Sequence, residues 1–264
     1  MVDPTPAKPA LGTWYHSPVD TYFALSANFM VYFASLFLGI GVLIGLALVV
    51  RQTAQNTPID NLNAGLAALI GAVVGARLVY TLVHWPFFSA NLAEIVRIDH
   101  GGLSPSGAII GSLAGVWTWS RYTKVSKWAL SEALLPLASA LLIAGWLGCW
   151  VEGCGYGAES AAWWALPAPD ESGWTTPRIP VQLIAILATA VVYWGLTKSP
   201  ALLRAPGQLA GAFLAGISVV HFGLTYLRAD PVQVWFGLRW DAWSALAFLG
   251  VGVSIYRLAG AQST

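Results

Sequence analysis

The sequence predicts an all-α, polytopic membrane protein of seven transmembrane helices, with the N-terminus outside and the C-terminus inside. Three observations predict it. Of 264 residues, 57% are hydrophobic and 9% are charged, under half the ~25% charged fraction of an ordinary soluble domain. The apolar residues gather in stretches that supply about seven spans at ~20 residues each, leaving little for any extramembrane domain. The basic residues concentrate in the connections on one side of those spans. Together these exclude a soluble globular enzyme and make residues 1–264 a single membrane domain. A net charge of +1 with scattered bases supplies no field for nucleic acid, which is not expected as a partner.

The spans are expected near residues 23–50, 62–83, 105–121, 128–150, 180–198, 207–227 and 241–259. Residues 1–22 carry Asp3 and Asp20 and no basic region ahead of the first apolar run, so they are expected to stay attached as an exoplasmic segment. The third span is the shortest. Residues 84–104 and 152–179 are expected to form exoplasmic loops. With the N-terminus outside, the inner segments hold Arg51, Arg121, Lys124, Lys127, Lys198, Arg204 and Arg257 against Asp60 alone. The outer segments hold five bases against ten acids. Because Arg121, Lys124 and Lys127 crowd one short connection, the positive-inside rule fixes the orientation there.

Glycines four residues apart, at Gly41/Gly45, Gly71/Gly75, Gly107/Gly111/Gly115 and Gly207/Gly211, mark close helix contacts. Trp14, Trp85, Trp163, Trp164, Trp174, Trp235 and Trp240 fall near the expected outer interface and read as an aromatic belt.

Several residues carry possible chemistry. Arg77 lies about fifteen residues into the second span, where a cation must be paired or hydrated. It snorkels to the headgroups, ties helix ends through carbonyl oxygens, or holds a lipid phosphate with its planar fork. Gly101, Gly102 and Pro105 imply irregular backbone at the mouth of the third span, where N–H groups can face an anion. Cys149 and Cys154 are five residues apart, too far around a regular helix to bridge. They are two packed thiols, a disulfide if Gly153 and Gly155 end the helix, or a reactive or metal-binding pair. Glu152 is a solvated helix end or a working carboxylate. Arg178 and Gln182 sit one turn apart at the start of the fifth span, as a headgroup clamp or an interfacial anchor. His221, in the outer half of the sixth span, is a packing residue or a base. Glu132 reads as structural, beside a helix dipole.

Several segments, in order, resemble the bacterial prolipoprotein diacylglyceryl transferase family. GARLVYTLVHWPFF is similar to its G-x-R-x-x-Y pattern and HGGLSPSGAIIG to its GG-[LM]-S-x-H-G-G-x-I-G turn. GWLGCWVEGCGYG resembles its G-R-x-G-N-F-x-N-G-E-x-x-G signature and PRIPVQL its R-H-P-S-Q-L segment, while HFGLTYLRADP and WDAWSAL resemble its end. The likeness covers roughly residues 62–258.

The resemblance implies a seven-span fold in the bacterial inner membrane and transfer of diacylglyceryl from phosphatidylglycerol to the lipobox cysteine of an exported prolipoprotein. It implies no metal and no organic cofactor. Arg77, Tyr80, Gly101, Gly102, Ser106, Arg178 and Gln182 are then the lipid- and phosphate-binding candidates. The chain departs from the pattern at Ser106, where the family has histidine. It departs again at Trp146, Cys149, Glu152 and Cys154, where the signature has arginine, two asparagines and glutamate. Ile179 replaces the histidine of R-H-P, and His221 and Thr225 replace a late arginine and acid. His221, His100 and Glu152 are the groups left to act as catalytic acid or base. Three readings therefore stand together: a diverged transferase, a non-catalytic lipid-binding or assembly subunit of a membrane complex, and a thiol-redox protein using Cys149 and Cys154.

Overall fold

A computed structural model describes residues 22–26, 29–52, 56–98, 101–170, 172–198 and 205–261, with side chains from Phe33 onward. A hairpin of β1 (Tyr22–Ser26) and β2 (Phe29–Tyr32) leads into α1 (Phe33–Val50) and α2 (Pro58–Val83). The short α3 (Trp85–Ala90) and a 3₁₀ turn (Leu92–Val96) precede α4 (Pro105–Thr123), α5 (Lys127–Ala133) and α6 (Leu135–Glu152). A second hairpin, β3 (Leu166–Pro169) with β4 (Thr175–Arg178), is followed by α7 (Val181–Lys198) and α8 (Gln208–Thr225). The third, β5 (Val234–Trp235) with β6 (Leu238–Arg239), opens directly into α9 (Trp240–Ala261).

Six helices, α1, α2, α6, α7, α8 and α9, are long and apolar enough to cross a membrane. The chain is thus a mostly helical, polytopic membrane protein. The helix at the third expected span, α4, has 19 residues, but Trp117, Trp119, Arg121 and its serines keep it less apolar than those six.

Three expectations need correction. The fold is not purely helical: the described residues include three two-stranded hairpins, which pair their backbone groups strand to strand in the segments before α1, α7 and α9. The first span starts at Phe33 rather than residue 23, because the aromatic run before it pairs as β1 and β2. The fourth is broken at Leu134, because Pro136 in the next turn cannot donate to the preceding carbonyl.

Local chemistry sets the helix ends. Thr57 Oγ1 accepts the Asp60 N–H at 3.2 Å, with Pro58 opening α2. Ser104 caps α4, which closes on Lys124 in a left-handed conformation. Gly153, also left-handed, ends α6, and the Cys154 N–H turns back to the Cys149 carbonyl at 3.0 Å. The α8 N-terminus is capped from another helix: Glu132 Oε1, on α5, accepts the N–H groups of Gly207 at 2.7 Å and Leu209 at 3.0 Å. Glu132 is structural, as its sequence position suggests, but it serves the dipole of α8 rather than its own helix.

The helices pack along glycine seams. A Cβ on Gly111 would lie 2.0 Å from the Gly71 carbonyl oxygen, and one on Gly75 would lie 2.4 Å from that of Gly107, so α2 and α4 touch backbone to backbone. Gly41 and Gly45 seat α1 on Ala144 and Leu137 of α6, and Gly211 meets Gly252 where α8 crosses α9. The seams bring together at one end, here called the upper end, the C-termini of α2, α6 and α8 and the N-termini of α4, α7 and α9. Below, Val49, Ala64, Val116, Leu130, Leu134 and Leu137 form a buried cluster around the broken helix.

Gly111→Ala is expected to lower stability in detergent by about 1–3 kcal/mol, the usual cost of forcing atoms into a packed contact. Gly145→Ala, in a helix with nothing within 4 Å of the new Cβ, should be neutral or gain about 0.4–1 kcal/mol. Thermal melts of the two variants check the contrast.

Candidate functional site

Two clusters of polar side chains occupy the upper end. The first is organised by Arg77, whose side chain is almost wholly buried at 7% exposure. Its Nε donates to the Ile95 carbonyl at 2.9 Å and its Nη1 to those of Gly101 and Gly102. Its Nη2 donates to the carbonyls of Glu94 and Arg97. A guanidinium has five N–H donors, and here each meets a backbone oxygen, which leaves none for a phosphate in this arrangement. The ring of Phe88 lies 5.2 Å from the guanidinium carbon and that of Tyr80 lies 5.9 Å away. Arg77 thus holds the connection between α3 and α4 over the end of α2. The connection needs its glycines: Gly101 and Gly102 have φ of 78° and 80°, and a Cβ on Gly102 would lie 2.4 Å from the Tyr80 ring. Ser106 Oγ lies 2.9 Å from Ser104 Oγ within the α4 cap.

The second cluster spans α6, α7, α8 and the hairpins. Cys149 and Cys154 form a disulfide, with Cα atoms 4.6 Å apart, because the turn at Gly153 folds Cys154 back over the last helical turn. That resolves the three alternatives for the pair. Gln182, fully buried, donates to the Cys154 carbonyl at 2.9 Å and ties α7 to this turn. Arg178, buried at 5% exposure, donates from Nη2 to Glu159 and Asp170, both at 3.3 Å, and its guanidinium lies 4.8 Å from the Tyr156 ring. Arg178 Nε is buried without a protein acceptor. Residues 156–160 run between two neighbours, with Ala158 N–H on the Leu227 carbonyl and Ile179 N–H on the Ala158 carbonyl, both at 2.9 Å. Gly157 is required there, since a Cβ would sit 2.2 Å from the Ile179 oxygen.

Burial pushes the Asp170 carboxyl upward, but the Ser172 hydroxyl, the N–H groups of Ser172 and Trp174 and the Arg178 cation outweigh it and hold the group below the usual carboxylate range. His221 faces Trp146, with ring centroids 6.2 Å apart. Both line a cavity of about 30 Å³ with Leu142, Ala185, Thr189 and Leu224, room for about one water molecule. Glu152 is exposed at the end of α6 and takes a backbone hydrogen bond from Ala34.

Of the residues singled out by sequence, Tyr80, Gly101 and Gly102 contact Arg77 and Gln182 contacts the Cys149–Cys154 turn. Ser106 instead meets Ser104, and Arg178 ends β4 rather than sharing a helix with Gln182. Arg178 stands beside the disulfide turn through Gly157 and Tyr156. Among the described residues no hydrogen bond or ion pair joins the two clusters, and α1 packs against both α2 and α6. His100 lies outside the described residues. Among those described, no three histidine, cysteine or acidic side chains are placed to hold a metal.

One cluster escaped the sequence reading. Arg228 is paired with Asp230 at 2.6 Å and Asp241 at 3.1 Å, and Arg239 with the same two acids at 3.2 and 3.1 Å. This square locks β6 and the start of α9 to the end of α8. Its signal was present as two Arg-x-Asp triplets, at 228–230 and 239–241.

Comparison with known proteins places this arrangement. A family model described as prolipoprotein diacylglyceryl transferase matches residues 21–258. The phosphatidylglycerol–prolipoprotein diacylglyceryl transferase of Solidesulfovibrio magneticus is 31% identical over 186 residues, covering 69% of this chain and 70% of that protein. That of Dechloromonas aromatica is 30% identical over 198 residues, covering 71% and 73%. That of Bordetella parapertussis is 28% identical over 236 residues, covering 83% and 88%.

Arg77→Lys keeps the charge but loses the fork, leaving buried carbonyls unpaired. It should cost about 1–3 kcal/mol and speed tryptic cleavage after Arg97, read by melting and limited proteolysis. For Asp170, a depressed carboxylate stabilises the fold above its unfolded value of about 4, and that contribution is lost as pH falls through the lower folded value. Protection of the amides in residues 172–178, taken relative to their intrinsic exchange rates, should therefore fall on acidification below about pH 4, and Asp170→Asn should flatten the response.

Proposed function

We propose that this chain, which belongs to the prolipoprotein diacylglyceryl transferase family, holds a phospholipid of the phosphatidylglycerol class at the outer face of the bacterial plasma membrane, without the transfer step for which its relatives are named. One observation carries the reading. Where the family pattern places polar site residues, this chain has Trp146, the Cys149–Cys154 disulfide and His221, and between Trp146 and His221 only about 30 Å³ is open. Removing one preorganised donor or base lowers catalysis by on the order of 10² to 10⁴, and here several are replaced together. The framework is kept: Arg77 with its glycine turn, and Arg178 with Gln182. Arg77 is taken up by its own turn, so the lipid partner is supported by the scaffold, whose relatives are named for phosphatidylglycerol, and by Arg178, whose Nε has no protein acceptor.

The upper end is the outer one in this reading. The glycine seam to α2 supports α4 as a seventh crossing, and an odd number of crossings leaves the termini on opposite sides, the N-terminus outside and the C-terminus inside in the proposed orientation. Arg121, Lys124 and Lys127, at the opposite end from the Arg77 connection, support that orientation. Residues 1–22, 84–104 and 152–179 then lie outside. A protein that holds lipid without turnover fits an assembly subunit of a membrane complex.

A second reading, transfer of diacylglyceryl to a prolipoprotein thiol by a rebuilt site, has one observation in its favour. His221 and Thr189 both line the cavity, and Glu152 is exposed at the same end. Such a site would need His221 to take the thiol proton and a cation to receive the phosphate leaving group. The thiol-redox reading is weaker, since Cys149 sits at a helix C-terminus, where a thiolate is disfavoured.

The test is to incubate the purified protein with phosphatidylglycerol and a lipobox peptide, beside an active relative as positive control. Native mass spectrometry should find phosphatidylglycerol bound, and peptide mass spectrometry should find no thioether-linked diacylglyceryl adduct. An adduct lost in His221→Ala would replace the first reading with the second, and absence of bound lipid would remove both.

A further inference from the structure

The β5–β6 hairpin contains an unusual tip. Its two-residue loop is Phe236-Gly237, with φ of 50° and 78°. This is the left-handed pair of a tight hairpin turn, where asparagine, aspartate and glycine are favoured and a bulky side chain is an outlier. The strained residue is also 95% exposed, with no packing inside the chain to account for it.

The hairpin is held rigidly at its base. Val234 pairs with Arg239 and Trp235 with Leu238, Arg239 is bound to Asp230 and Asp241, and the Trp240 N–H meets the Gln233 carbonyl at 2.8 Å. It does not stand away from the bundle. Trp243, three residues and about 4.5 Å along α9, donates its indole N–H to the Trp235 carbonyl at 3.0 Å. Trp235 also packs on Trp240, with centroids 4.8 Å apart. The strands therefore lie beside the first turn of a helix long and apolar enough to span the membrane. Trp235, Trp240 and Trp243, each in part exposed and joined by the contacts above, continue as a strip from the hairpin onto the wall of α9, and Val234 on the same strand is exposed as well.

We propose that this hairpin is an interfacial anchor, with Phe236 and its neighbours entering the headgroup–acyl boundary of the leaflet at the upper end. Lipid is the occupant because the strip is continuous with a helix face that lipid already covers, and because aromatic side chains favour that boundary. The proposal rests on α9 crossing the membrane and is independent of phosphatidylglycerol binding.

The chain's two cysteines are joined to each other, so Phe236→Cys offers a single thiol for an environment-sensitive fluorophore. Ser126→Cys, in the exposed connection between α4 and α5, is the aqueous control. In nanodiscs, brominated acyl chains should quench the label at 236 at least twofold more than at 126, and iodide should do the reverse. Iodide quenching at 236 equal to the control overturns the anchor. Shielding that appears only at several protein copies per disc also overturns it and assigns the strip to a second copy. Phe236→Asn, whose side chain suits the turn, should melt no lower than the parent in detergent micelles but lower in nanodiscs. Equal melting of parent and variant in nanodiscs counts against the proposal.

Discussion

Inside a bilayer, a backbone or charged group without a partner has no water to fall back on, and two apolar surfaces gain nothing by leaving one for the other. That constraint underlies most of this architecture. The glycine seams between α2 and α4 and between α8 and α9 let backbones touch, which is what remains to favour association once the hydrophobic drive is gone. The same constraint explains why Arg77 is wrapped in carbonyl oxygens rather than left to a neighbouring acid. A carboxylate would add a second ion to desolvate, whereas the carbonyls of the turn after α3 already need donors. The cation and the irregular backbone satisfy each other.

At the upper end, charges outside the spans are handled in groups. Arg178 is shared by Glu159 and Asp170, and Arg228 and Arg239 are shared by Asp230 and Asp241. Residues 156–160 run between these groups, hydrogen-bonded on one side to the end of α8 and on the other to β4. A change at the end of α6 is therefore felt in both ion clusters. Replacement of the family's signature residues is coherent in that light. Trp146 has the His221 ring 6.2 Å and the Arg228 guanidinium 5.9 Å from its own ring, so an indole contacts both an imidazole and a guanidinium there.

Much of the fold was legible because membrane spans write themselves as length and hydropathy. The end of α6 was legible in Gly153, whereas α2 starts at Pro58, ahead of the span expected from residue 62, because hydropathy does not register the polar first turn after Thr57. The hairpins were not legible, because strands of two to five residues leave no period longer than the noise of a loop. Pro136 signals the break at Leu134, but the flanking run is apolar throughout and so carries the hydropathy of one continuous span. Within the site, glycine spacing and the buried arginine could be read from type and position. Which oxygens Arg77 meets could not, since those partners are backbone atoms carried by a turn whose shape depends on Arg77 itself. The Arg–Asp square was hidden because pairing across a hairpin joins residues whose sequence positions look like ordinary outer-loop charges.

The Cys149–Cys154 bond has a consequence for the chemistry practised by the relatives. Their named substrate is a prolipoprotein, and in the implied reaction its acceptor atom is a cysteine sulfur. This chain has two cysteines in all, and each is bound to the other. A scaffold with a free thiol beside a bound lipid would risk taking the diacylglyceryl group onto its own sulfur as a thioether, becoming its own dead-end product. Here both cysteine sulfurs are held in one bond, so while that bond stands any thiol that meets a lipid on this scaffold has to arrive on a different molecule.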